Sequence, residues 1–303
     1  MKVAALQMVS GSQLQANLQQ AQALLQQASQ AGAELAVLPE YFCLMGERET
    51  DKLALAETPG SGPIQDFLAS AARQFGLWIV GGTLPLQSPK PESPPREPSL
   101  RSVLSRRAGG TPALPGKPLG RPGEFLERVA NACLVFDPNG QPVARYDKMH
   151  LFCYDNGRER YDEAAVLNAG SEPVAFDLCE RSGQRWRVGL SVCYDLRFPE
   201  LYRHLQADLL LLPAAFTHGT GQAHWEVLLR ARAIENLAFV AASAQGGQHD
   251  NGRQTWGQSL LIDPWGVVLA ERASGVGVVL AELDWARLQQ VRQQLPALQH
   301  RRL

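Results

Sequence analysis

The chain is poor in the features that mark secreted, membrane-bound or nucleic-acid-binding proteins. Its 303 residues include five cysteines, at 43, 133, 153, 179 and 193, an odd set with no C-x-x-C spacing. That set argues against a disulfide scaffold and a zinc site, and for a reducing cytosol. Net charge is only −1, from 29 basic and 30 acidic side chains. So near-neutral a balance argues against nucleic acid or an anionic membrane as principal partner. No uninterrupted apolar run approaches membrane-spanning length. The opening Met1-Lys-Val-Ala-Ala-Leu-Gln-Met8 is too short and too soon polar for a signal peptide, and reads as a first strand. What remains is ample: 45% hydrophobic and 19% charged residues suit a sizeable buried core.

Three short segments carry the chemistry. In Arg187-Val-Gly-Leu-Ser-Val-Cys-Tyr-Asp-Leu-Arg-Phe-Pro-Glu200, the apolar run 188–192 reads as a buried strand, and Pro199 suits the first turn of a helix. Cys193 lies between them, on an exposed turn where backbone N–H groups and a helix start favour a thiolate. Taken alone it could equally be a packed, inert thiol. The strand 35–38 ends in Pro39-Glu40, and the strand 143–146 ends in Asp147-Lys148. A charged residue after a strand is usually a solvated turn. A carboxylate, an ammonium and a thiol, each just past a strand's carboxyl end, are the minimum parts of a base-activated nucleophile.

In order and surroundings, Glu40, Lys148 and Cys193 resemble the Glu-Lys-Cys triad of the nitrilase (carbon–nitrogen hydrolase) superfamily. The likeness is carried by Leu38-Pro-Glu40, Asp147-Lys-Met-His-Leu-Phe152 and Cys193-Tyr-Asp-Leu-Arg-Phe-Pro-Glu200. It continues through Ala223-His-Trp-Glu-Val-Leu-Leu-Arg-Ala-Arg-Ala-Ile-Glu-Asn236, Asp263-Pro-Trp-Gly266 and Leu295-Pro-Ala-Leu-Gln-His-Arg-Arg302. The last third is most similar to the deaminated glutathione amidase branch. The resemblance implies a four-layer α-β-β-α sandwich, a single domain over 1–303, a homodimer, and no cofactor or metal. It implies that Glu40 is the general base, Cys193 the nucleophile that forms a thioester, and Lys148 the charge beside the oxyanion, with the Tyr194 N–H. A second family glutamate falls on Glu163, although Glu159 and Asp162 are close by. One departure is Cys153, where the family often has aspartate; it reads as a packing substitution, with a second reactive thiol left open.

Strands and helices alternate along most of the chain. Helices are expected over 13–31, 63–75 and 224–236. Strands are expected over 78–80, 133–136, 143–146, 209–212 and 239–243, with hairpin turns at 137–140 and 263–266. Together these imply a mixed sheet. The segment 88–123 stands apart. It holds nine of the twenty prolines, with seven Lys/Arg against two Glu, and reads as a loosely held insertion.

Side chains near the triad suggest what it acts on. Arg197 could grip a substrate carboxylate through its planar fork, or simply pair with Glu200 or Asp195. Thr217 and His218 follow the strand 209–212 and could line the pocket, and Trp225 could wall it. Arg230, Arg232 and Glu235 read as ties between helix and core. His249, Arg253 and Trp256 share a polar loop that could close over substrate. The expectation is a cytoplasmic amidase for a small carboxylate-bearing amide, with water as co-substrate: deaminated glutathione, giving 2-oxoglutarate and cysteinylglycine. Alternatives are an ω-amidase on 2-oxoglutaramate, an N-carbamoyl hydrolase, or a noncatalytic platform, whose sign would be a missing triad member.

Overall fold

Successive side chains of a strand point to opposite faces, and here both faces of the first strand are apolar. In the computed structural model, which describes residues 1–88, 128–157 and 159–302, Lys2–Gln7 buries Val3 and Ala5 on one side and Ala4 and Leu6 on the other. Ala4 and Leu6 pack with Leu18, Leu24, Leu25, Ile64 and Leu68 of the helices Leu14–Gln30 and Pro63–Phe75. Val3 and Ala5 instead join Trp186, Val188, Leu190 and Val240 of a second sheet. A strand buried on both faces must be an inner layer.

The first sheet runs in the order Gly277–Glu282, Lys2–Gln7, Leu35–Val37, Trp78–Val80, Val129–Phe136, Leu84–Gln87, with Pro142–Asp147 also paired to Val129–Phe136. The second runs Ala175–Cys179, Arg185–Leu190, Leu209–Ala214, Phe239–Ala244, Ser259–Ile262, Val268–Arg272. Each has parallel strands at its centre and antiparallel strands outside them. Helices Pro199–Leu205 and His218–Asn236 cover the far side of the second sheet through Leu201, Tyr202, Leu229 and Ala233. The result is the α-β-β-α sandwich, mixed as the βαβ units and hairpins imply. The two sheets also meet at strand ends, where the Met8 N–H donates to the Ala244 carbonyl (3.4 Å).

Most expected elements appear within a residue or two, including Pro63–Phe75 and Trp78–Val80. The turn 137–140 joins Val129–Phe136 to Pro142–Asp147, with Gly140 at φ +73° closing it. The larger error is the helix expected from 224, which starts at His218. Gly219 and Gly221 are poor helix formers and hide that first turn. Gly221 is needed there, because a Cβ would come within 2.2 Å of Trp256. Apart from Ser88, the insertion 88–123 lies outside the described residues.

Because parallel strands point the same way, their carboxyl ends gather on one rim. Leu35–Val37 leads into Glu40, Arg185–Leu190 into Cys193, and Leu209–Ala214 into Ala215. Close under this rim, Gly82 sits at φ +54° against the Pro39 carbonyl, which a Cβ would approach to 2.0 Å. A Gly82→Ala variant should therefore lose stability, by roughly 1–3 kcal/mol from overpacking and about 1 kcal/mol or more from backbone strain. Urea denaturation should show a lower midpoint at an unchanged slope; an unaltered midpoint would refute the tight approach.

Candidate active site

The nucleophile candidate is set by an unusual backbone. Cys193 has φ +49°, a left-handed conformation that a non-glycine residue holds only when its surroundings enforce it. It opens the short 3-10 helix Cys193–Arg197, so the Tyr194 N–H lies in a first turn with no helical carbonyl to serve. The enforcing group is Asp195, fully buried. Its Oδ2 accepts from the Val192 N–H (2.7 Å) and the Tyr146 hydroxyl (2.7 Å). Its Oδ1 accepts from the His150 N–H (3.1 Å) and meets His150 Nδ1 (2.7 Å). Ahead of the turn, Ser191 Oγ donates to the Leu211 carbonyl (2.8 Å) and receives the Tyr202 hydroxyl (3.0 Å). The expectation of an exposed thiol fails here: Cys193 is only 8% exposed, because the turn folds inward under the rim.

The structure brings Glu40, Lys148, Cys193 and Glu163 together, all buried. Lys148 Nζ donates to Glu40 Oε1 (2.9 Å) and to both oxygens of Glu163 (3.0 and 2.7 Å). Glu40 also accepts from Asn131 Nδ2 (2.9 Å) and, at Oε2, from the Ala215 N–H (3.0 Å). Glu163 accepts from the Tyr41 hydroxyl (2.7 Å) and the Phe152 N–H (2.7 Å). Contact with Lys148 selects Glu163 over Glu159 and Asp162. Such a group of buried charges persists only when every one is paired and hydrogen-bonded, and this one is.

Electrostatics assign a resting state. Burial pushes the Cys193 thiol up and the Glu40 carboxylate pushes it further; Lys148 pulls it down, but the net pKa stays well above the ordinary thiol value. Cys193 therefore rests as a thiol beside a carboxylate able to take its proton. Burial pulls Lys148 down, yet Glu163 and Glu40 outweigh it and hold the ammonium charged well above its usual range. Burial raises Glu163, and the opposing pull of Lys148, then Lys52, brings its pKa below the ordinary carboxyl value. The arrangement can deprotonate a thiol during attack and hold a fixed positive charge beside it.

Of the other expected residues, Tyr194 turns its ring toward Phe152 and Phe198, with ring centres 5.2 and 5.4 Å away. Arg197 pairs with neither Glu200 nor Asp195. Its guanidinium reaches His224 Nδ1 (3.2 Å) and lies 5.6 Å from the Phe216 ring and 5.9 Å from Tyr194. Thr217 is buried, with its hydroxyl on Thr220 (2.7 Å), while His218 packs edge-on to Trp256. Trp225 does not face an open pocket: it is wholly buried behind Phe216, and its indole N–H is spent on the Gln258 carbonyl (2.8 Å). Arg232 does tie its helix inward, donating twice to the Leu196 carbonyl. His249 is a satisfied buried side chain between Ser10 and Thr255. Cys153 is exposed, so it is no packing substitution, and all five cysteines are free.

Asn131, Tyr41, Asp195, Tyr146 and the Ala215 N–H were not singled out as site residues from sequence. Asn131 lies in an apolar run just beyond the insertion, and Tyr41 directly follows Glu40. Those positions were the available signals. Tyr146 and the Ala215 amide had none.

Comparisons with known proteins show what the chain is similar to. The family model described as carbon-nitrogen hydrolase matches residues 2–97 and 120–293. The unmatched stretch 98–119 falls inside the proline-rich segment. A protein of Synechocystis named deaminated glutathione amidase is 40% identical, covering 98% of this chain and 97% of its own. The solved structure of the C. elegans NitFhit protein is 33% identical with a TM-score of 0.77, and covers 99% of this chain and 65% of that one. The structure of Saccharomyces cerevisiae Nit3, a member of branch 10 of the nitrilase superfamily, is 26% identical with a TM-score of 0.77. It covers 98% of this chain and 94% of its own.

A thiol held neutral by burial and a carboxylate has a specific pH signature. Glu40→Gln should lower turnover by about 10²–10⁴ at neutral pH, since general-base help is lost. The remaining rate should then keep climbing with pH above the ordinary thiol range of ~8.5, because burial still holds the Cys193 pKa up and only spontaneous thiolate can attack. A Glu40→Gln enzyme with wild-type rate at pH 7 would make another residue the base, with Glu163 next in line.

Proposed function

We propose that this chain, which belongs to the carbon–nitrogen hydrolase family and is an amidase, hydrolyses deaminated glutathione to 2-oxoglutarate and cysteinylglycine. The observation that carries the chemistry is Lys148 clamped between Glu40 and Glu163 at the opening of the Cys193 turn. The substrate reading is supported by the name and near-complete overlap of the Synechocystis relative, and by a guanidinium, Arg197, at the rim among Tyr194, Phe216 and His224.

Each group then has one task. Glu40 takes the thiol proton as Cys193 sulfur attacks the amide carbonyl. The tetrahedral oxyanion is held by Lys148 and the Tyr194 N–H, donors already in place before charge develops. Glu40 returns its proton to the departing amine, which leaves a thioester on Cys193. A water, deprotonated by Glu40, attacks that thioester through the same oxyanion site, and the carboxylic acid and the thiol are released. Glu163 keeps Lys148 charged and aimed. Arg197 grips the carboxylate of the 2-oxo acyl half through paired hydrogen bonds, which sets the scissile carbonyl over the sulfur. Thr217 and His218 complete the wall beside it.

The same reading takes the protein as a single domain, with strands from both chain ends, Lys2–Gln7 and Gly277–Glu282, adjacent in one sheet. It places the enzyme in the cytoplasm, where five free thiols persist. No helix among the described residues is long and apolar enough to cross a membrane. The assembly is taken to be a homodimer; exposed Val227, Ile234, Trp265 and Val267 support a covered apolar face.

Cys193→Ala should abolish turnover with little loss of stability, and Lys148→Met should cost ~10²–10³ or more in rate. Side by side, the deaminated tripeptide should exceed 2-oxoglutaramate in kcat/KM, because its cysteinylglycine half adds binding energy usable at the reacting carbonyl. A clear preference for the small primary amide would make the enzyme an ω-amidase instead. Arg197→Lys should raise KM on both substrates, since the charge stays but the fork is lost; indifference would put the acyl carboxylate elsewhere.

A further inference from the structure

We propose that Arg253 forms a second anion subsite, which takes the terminal carboxylate of the leaving peptide and so selects a peptide-like amide over a primary one. This rests on the substrate reading above, under which the substrate carries two carboxylates, one on each side of the scissile bond.

Arg253 lies in the turn of the hairpin formed by Gly246–Gln248 and Gln254–Trp256. Its backbone is pinned: its N–H donates to Asn251 Oδ1 (2.9 Å) and its carbonyl receives the His249 N–H (2.9 Å). The hairpin is in turn fastened to the first sheet's rim, with Asp250 Oδ2 accepting from Ser12 N–H (2.8 Å) and Asn251 Nδ2 donating to the Gly46 carbonyl (2.7 Å). The side chain is a different matter. Its Nη2 reaches the Ala215 carbonyl only at 3.4 Å, and its Nη1 reaches Met45 sulfur at 3.8 Å, a weak acceptor. Its Nε is buried with no partner, the one such side-chain atom among the described residues. No carboxylate pairs with it there. Arg232, also on the second sheet's side, shows what a structural arginine looks like: two bonds to the Leu196 carbonyl and an ion pair with Glu235. A five-donor fork left with a bare N–H and two poor acceptors is poised for a planar anion.

Its position suits a substrate rather than a stray ion. Ala215 donates its N–H to the base Glu40 and offers its carbonyl to Arg253, so a single residue links the two. The next residue, Phe216, lies under Arg197. The two guanidiniums therefore flank Ala215-Phe216, one for each end of a substrate laid across the triad. On the Arg253 side the wall is Tyr41, Met45 and Ala215, which form a small apolar cluster of their own, with the Tyr161 ring centre 5.0 Å from the guanidinium. A cysteinylglycine unit spans about 7 Å when extended, and Ala215 alone separates Glu40 from the Arg253 guanidinium along this path. The charge balance points the same way: Glu40, Glu163 and Lys148 sum to −1, so a dianionic substrate needs cations beyond Lys148. Burial works against the Arg253 charge, but the neighbouring Tyr161, Tyr41, Glu49 and Glu40 outweigh it and keep the guanidinium protonated.

The test is a ratio. In Arg253→Met, kcat/KM for deaminated glutathione relative to 2-oxoglutaramate should fall ~10–100-fold, the loss of one charge-assisted bidentate contact. Capping the tripeptide as its glycinamide should cost the wild type a similar factor and cost the variant little. Arg253→Lys should fall between, and the thermal midpoints show whether each variant folds. Equal losses on both substrates, or none on either, would overturn the proposal. A second probe works without turnover: alanylglycine should slow alkylation of Cys193, and alanylglycinamide should not, with the difference gone in Arg253→Met. If the wild type fails to cleave the tripeptide while this difference holds, the substrate reading falls and the anion subsite stands. If both dipeptides protect alike, the subsite falls.

Discussion

A fully buried ammonium between two buried carboxylates constrains everything around it. Lys148 leaves water only because Glu40 and Glu163 meet it, and they leave water only because Asn131, Tyr41 and the Ala215 and Phe152 amides complete their hydrogen bonds. Removing one member of such a cluster leaves an uncompensated buried charge, a loss of about 3–5 kcal/mol in comparable cases. The donors come from the strand Val129–Phe136 and from the segments that follow Leu35–Val37, Pro142–Asp147 and Leu209–Ala214, so both sheets contribute. Chemistry and fold are thus secured by the same bonds: the sandwich must close for the charges to be paired, and the paired charges fix where its rims meet.

The Cys193 turn is held by a separate lock. Asp195 spends four contacts on holding the Cys193 turn in its left-handed shape, and Tyr146, which serves it, comes from the strand that leads directly into Lys148. Tyr41, the residue after Glu40, also has a positive φ, of 56°. Two of the five left-handed non-glycine residues among those described therefore adjoin or belong to the triad. Strain concentrated there, and supported by buried polar bonds, is how a site keeps its geometry before substrate arrives.

The pocket's selectivity is written in what its arginines lack. Arg232 is saturated and structural. Arg197 meets only an imidazole and two aromatic faces, and Arg253 has a buried N–H with nothing to give it to. Between them lie Glu40 and Cys193, the proposed base and nucleophile, in a region whose own charge is negative. An amide flanked by carboxylates fits that pattern, because it supplies the anions the two guanidiniums are missing.

The sequence by itself determined the strand ends and the reactive residue types. Short apolar runs closed by Pro39-Glu40, Asp147-Lys148 and the Cys193 turn are local signals, set by side-chain pattern and turn chemistry within a few residues. They sufficed for the alternating elements and the mixed sheets and, through resemblance, pointed to Glu40, Lys148 and Cys193, which the fold brings together. Tertiary structure decided the rest, because burial and partnership are properties of distant segments. It put Cys193 inside rather than exposed, drew Trp225 behind Phe216, chose Glu163 over Glu159 and Asp162, and began the long helix at a glycine-rich turn packed on Trp256. Asn131 meets Glu40 across 91 residues of chain, and no pattern within either segment encodes that contact. Only when two sheets close face to face do such groups lose water together, and only then does each one's need for a particular partner take effect.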